Sequence, residues 1–158
     1  PAFDRLAALR RHLADLQALP DIVAEEAVEY SRRRFTEKAF DGKPWRPVSP
    51  NYHPRRGTLL VRSGALLNSV RVASVTPQKV VITAGNSKVA YARAHNEGFA
   101  GSVVVKPHQR RLKGGKIARV RSYQRRMSVP RRQFLGRCAE LEDILKRETE
   151  NLFKNTMS

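Results

Sequence analysis

Apolar residues recur with a helical period at both ends of the chain and with a strand period through much of its middle. Phe3, Leu6, Leu9, Leu13 and Leu16 are spaced at i, i+3 and i+4, which places them on one face of a helix over 3–19. Pro20 predicts the start of a second helix, because proline fits a first turn and not a helix interior. Asp21, Glu25 and Glu26 near that start suit the positive end of the helix dipole. This helix runs to about Phe40, with Val23, Ala27, Tyr30 and Phe35 inward and Arg32, Arg33 and Arg34 toward its C-terminal half.

The segment 41–57, with its prolines and glycines, reads as an extended loop, and Trp45 within it as a packing anchor. Ser63 and Gly64 open a short amphipathic turn carrying Leu66 and Leu67. Val70 to Val75 and Lys79 to Ala84 read as a hairpin around Thr76-Pro77-Gln78. Asn86 to Asn96 reads as a short helix with Val89, Tyr91 and Ala92, ended by Gly98. Val103–Leu112 and Lys116–Val129 are two basic, strand-prone runs joined at Gly114-Gly115, which is a hairpin signal. Their arms of about ten residues are poor in large apolar side chains at the tip, so the hairpin cannot bury a core of its own and is expected to project. Pro130 ends it. Phe134 and Leu135 plug back into the body, and a helix from about Gln133 to Phe153 turns Leu141, Ile144, Leu145 and Leu152 inward.

This order predicts an α+β fold: an antiparallel sheet with a long projecting basic β-hairpin, packed by N-terminal and C-terminal helices. It is one domain over 1–158, with helices in 1–40, a core with a small hairpin in 41–100, the basic arm in 101–130 and the last helix in 131–158. Hydrophobic residues make up 41% and aromatics 7%, so the core leans on Leu, Val and Ala.

Charge changes this picture most. From Gly42 to Ala139 the chain carries twenty-one Lys and Arg against a single acid, Glu97, while the flanks are near neutral. The middle therefore carries +20, more than the whole net charge of +17. A field of that size is expected to face nucleic acid, a membrane surface or an acidic protein. No apolar run approaches the roughly 18 residues of a membrane span, so no membrane role is expected. The start of the chain lacks a basic-then-apolar signal layout, and Cys138 has no partner for a disulfide; both fit a reducing interior such as a bacterial cytoplasm.

The residues offer no catalytic constellation, metal set or cofactor motif, and the chain is not expected to be an enzyme. His12, His53, His95 and His108 are scattered without metal-ligand spacing. Cys138 reads as a buried thiol. His95 and Glu97 could form an acid–base pair, and a cap plus a surface charge explains them equally well. The strongest chemical signal is the arm: Lys106, Arg110, Arg111, Lys113, Lys116, Arg119, Arg121, Arg125 and Arg126. These are the expected partner or oligomer interface, or else contacts to nucleic-acid phosphates, which would be steeply salt-dependent.

Four strings, FDGKPWRPVSPNY (40–52), RSGALLNSV (62–70), VAYARAHNEG (89–98) and VPRRQFLG (129–136), occur in this order. Together they resemble the phage virion morphogenesis family, which includes the Mu-type G protein and the tail-completion S proteins. The pattern carries over to Gly42, Trp45, Gly64, Leu66, Tyr91, His95, Gly98, Phe134, Leu135 and Gly136. For these residues structural roles are expected: Gly42 and Gly98 in turns or helix stops, and Trp45, Tyr91, Phe134 and Leu135 in core packing. The resemblance implies a structural subunit of the virion tail or neck, made in the host cytoplasm. As a tail terminator it would form a ring, commonly six-fold, that caps the tail tube and joins it to a head-side connector or stopper. Its partners would be itself, the tube protein and the connector, with DNA passing through the lumen.

Overall fold

The computed structural model describes residues 2–50, 52 and 56–157. His53 lies outside the described residues. Mixed helix and small antiparallel sheets make the fold α+β. Helix α1 (Ala2–Glu37) is followed by a minimal hairpin of β1 (Ala39–Phe40) and β2 (Lys43–Pro44) and by the one-turn helix α2 (Ala65–Asn68). Strands β3 (Arg71–Thr76) and β4 (Lys79–Thr83) form the small hairpin, and α3 (Ala92–Glu97) follows. The arm then runs out through β5 (Phe99–Val105) and β6 (His108–Arg111) and back through β7 (Ile117–Val120) and β8 (Tyr123–Val129). Helix α4 (Ala139–Met157) comes last.

Pro20 does not divide the first segment: α1 passes through it as one helix. Proline costs a helix interior one backbone hydrogen bond and a clash with the preceding turn, yet here the helix continues across it, with its buried residues on the C-terminal side. Beyond Pro20 the helix lies on the core through Ala24, Ala27, Val28, Tyr30, Ser31 and Phe35, all buried. Before it, α1 extends past the core. The stripe of Phe3, Leu6, Leu9, Leu13 and Leu16 continues the core-facing side of the helix but is exposed, Phe3 at 86%. The sequence pattern correctly marks the apolar face of a helix, while the core beneath that face stops short.

The main core joins Val28 and Phe35 of α1 to Trp45, Leu66, Val70, Val89, Ala92 and Phe134. Phe134 is fully buried and its ring lies 4.9 Å from that of Phe35. A second cluster, Tyr30, Phe40 and Cys138, seats the start of α4 against α1. There the Tyr30 hydroxyl donates to Glu140 Oε2 (2.9 Å) and lies 2.9 Å from Cys138 Sγ. Burial and these two contacts push the phenol well above its usual range. The buried Arg34 guanidinium sits 4.1 Å above the Tyr30 ring and pairs with Glu140 and Glu37 at 3.0 Å each. Cys138 is thus a buried thiol, placed just ahead of α4.

The expected single sheet is instead four separate two-stranded ribbons. The reason is visible in β5 and β8: they pair with each other from Phe99↔Val129 to Val105↔Tyr123 and make no more than marginal contact with the helices or with β3–β4. A break at Lys106-Pro107 on one side and Arg121-Ser122 on the other separates this base from the tip ribbon, His108↔Val120 to Arg111↔Ile117. Proline cannot donate to a ladder, which accounts for the break. Gly114 and Gly115 turn the tip at φ +93° and +82°, a left-handed pair that residues with a Cβ adopt at a cost.

Candidate functional site: a basic groove and a basic arm

Hydrogen bonds pin three of the four sequence segments, 40–52, 89–98 and 129–136, into one unit, and 62–70 joins them through Leu66 and Val70 in the core. Trp45 Nε1 donates to Gln133 O at 2.7 Å. Arg132, almost fully buried, donates from Nε to Arg46 O (2.8 Å) and from Nη2 to Pro47 O (2.9 Å), while its backbone N–H donates to His95 O (2.7 Å). Burial and the neighbouring Arg46 charge lower its pKa from the usual arginine range. The side chain of Asn96 does the most for its size: Oδ1 accepts the backbone N–H groups of both Phe134 (3.0 Å) and Leu135 (2.9 Å). Sequence reasoning missed Asn96 and Arg132 because nothing in a polar residue's spacing reveals a long-range backbone partner. Asn96→Ala strands two half-buried donors and is expected to cost about 2 kcal/mol, read as a lower urea midpoint at unchanged slope.

The same segments line one open groove of about 780 Å³. The loop contributes Val48 and Tyr52, the α2 turn Arg62, Gly64 and Leu66, α3 Tyr91 and His95, and the foot of the arm Arg125, Val129, Pro130 and Arg132. Arg56 adds a further cation, and no Asp or Glu is in the lining. The arrangement suits a partner that brings carboxylates together with apolar groups.

Tyr91, expected in the core, is 45% exposed at the groove wall, with its ring edge-on to His95 at 5.8 Å between centroids. It sits one residue ahead of α3, where the buried side of the turn belongs to Val89 and Ala92. Trp45, Leu66 and Phe134 are buried and Leu135 is half buried. Gly42, Gly64, Gly98 and Gly136 all have positive φ. At Gly98, which stops α3, a Cβ would also lie 3.2 Å from Arg131 N.

His95 and Glu97 are not an acid–base pair. Glu97 is held by Arg93 at 2.8 Å, whereas the half-buried His95 has a buried Nδ1 without a hydrogen-bond partner. Burial, then the charge of Arg132, lower the pKa of His95. Among the described residues no group of His, Cys, Asp and Glu could hold a metal ion, and no helix is long and apolar enough to cross a membrane.

The nine arm cations are all exposed. The structure divides them: Lys106 and Arg121 fall at the break, Arg125 and Arg126 on the base ribbon beside the groove, and Arg110, Arg111, Lys113, Lys116 and Arg119 around the tip. No ion pair joins any of them to the body among the described residues.

The family model for the phage virion morphogenesis family matches residues 2–154, nearly the whole chain. The chain belongs to the phage virion morphogenesis family. This is a family of structural and assembly proteins of bacteriophage particles, and the unit the four segments build is therefore a virion-assembly fold. No curated protein and no solved structure matches the chain.

Proposed function

We propose that this member of the family is a tail-completion or tail-terminator subunit of the virion, acting without catalysis. Copies form a ring, six-fold in the simplest arrangement, that caps the tail tube and offers the head-side connector or stopper a docking surface. The observation that carries the reading is the arm. It is a long ribbon with no more than marginal contact to the body's helices and small hairpin, and carries nine cations and no acid from Phe99 to Val129. An isolated two-stranded ribbon is marginal in water and gains its order from what it lies against. The groove at its foot, basic and partly apolar, supplies a second surface for an acidic partner such as the tube or connector. DNA in the lumen is compatible with the surplus charge.

Electron microscopy of particles made without this gene tests the reading. Unjoined filled heads and free tails are expected; normal joined virions would refute it. The same arm supports a second reading, a nucleic-acid-binding protein whose tip contacts phosphates. Filter binding over a salt series separates the two. Tight binding that falls by orders of magnitude between 50 and 200 mM salt, together with normal joining, favours the second reading.

A further inference from the structure

We propose that the arm of one copy seats on the outer face of α1 in a second copy, its tip cations against a row of carboxylates at Asp21, Glu25 and Glu29. The inference deepens the ring reading above and rests on it.

The three acids are four residues apart, so they stack in one row along α1. All three are exposed, in a row that flanks the buried stripe of Ala24, Ala27 and Val28, and none has an ion pair among the described residues. Between His12 and Ser31 the helix carries no Lys or Arg at all. Elsewhere five acids are engaged: Glu37 and Glu140 with Arg34, Glu97 with Arg93, Glu142 with Arg137, and Asp41 with the Glu140 backbone. The row is therefore a concentrated negative surface in a chain of net charge +17.

Its counterpart is at the arm tip. The register pairs Gln109 with Arg119 and Arg111 with Ile117 on one face, and Lys113 follows in the turn. Successive layers of one ribbon face lie about 7 Å apart. Carboxylates at i and i+4 on a helix rise about 6 Å per step. Two layers of cations, with Lys113 beyond them in the turn, thus meet the acids at nearly the same spacing. The arm makes no more than marginal contact with α1 of its own chain, so a neighbour's α1 is the surface of matching sign and pitch. Nucleic acid would neutralise the arm and leave the row bare, whereas a second copy satisfies both. Because the two patches differ, the contact can be made head-to-tail and so close into a ring.

Charge exchange tests this. Sedimentation velocity of the full chain at 100 µM in 50 mM salt is expected to show an oligomer. Arg111→Glu/Lys113→Glu/Arg119→Glu and, separately, Asp21→Lys/Glu25→Lys/Glu29→Lys are each expected to weaken association about 100-fold, as three exposed pairs turn from attractive to repulsive. Both sets in one chain are expected to restore it. Circular dichroism checks that every variant is folded. A monomeric wild type, an oligomer indifferent to the row, or no rescue by the combined exchange overturns the proposal. Virion joining is read separately. Joining that needs the chain while mass ignores the exchange keeps the tail reading and removes this one. Rescue by exchange with normal joining in the gene's absence does the reverse.

Discussion

Phe134→Ala is expected to lower the stability of the free chain by about 3–5 kcal/mol. The side chain is fully buried against Phe35 in the cluster that also holds Trp45, Leu66, Val70 and Val89. Truncation removes the transfer energy of the ring and leaves a cavity whose walls come from α1, the loop, α2 and α3, so no single segment can collapse into it. Domains have about 5–15 kcal/mol in total, so this one change takes a large share. For a chain of this length it corresponds to a melting temperature lower by about 10 °C. Phe3→Ala is the internal control. Phe3 is 86% exposed, and its loss should stay within about 0.5 kcal/mol. Urea melts of both variants decide the matter. A Phe134→Ala loss below about 1 kcal/mol would mean that the four segments are not held by the core described.

Replacing 103–125 by Asn-Gly is expected to leave the body folded and to abolish assembly. The cut is placed so that Ser102 and Arg126, partners in the ladder, flank a two-residue turn of the type that matches strand twist. The removed residues contribute nothing to either core cluster and make at most marginal contacts with the helices, so melting should shift by less than about 0.5 kcal/mol. The deleted stretch carries eight of the nine arm cations. Wild-type oligomer and shortened monomer by sedimentation, at equal melting temperature, is the expected pair of results. A shortened chain that still assembles would move the interface to the body.

The elements were largely legible because their signals are local. Periodicity located the α1 and α4 faces, Gly114-Gly115 located the arm's turn, and the Val70–Ala84 pattern located the small hairpin. Pro20 misled because a proline followed by Asp21, Glu25 and Glu26 has the chemistry of a helix start, whereas the helix runs on through it. The exposed Leu stripe misled for a related reason: an apolar face tells which side of a helix is sticky, not how far the core extends beneath it. Tyr91 was placed inside because aromatics usually are, yet its neighbours Val89 and Ala92 take the buried side. The candidate groove was half legible. Most of its residues lie in the four quoted segments, and each segment reads as a separate structural motif. The convergence of three of them depends on hydrogen bonds that Arg132 and Trp45 donate to, and Asn96 accepts from, distant backbone, which no linear pattern encodes.

Electron microscopy of particles from a phage whose only copy of the chain carries the shortened arm tests the account most directly. Separate DNA-filled heads and bare tails, with the folded protein left free in the lysate, are what the account predicts. Joined, infectious virions with the shortened chain in place would contradict it.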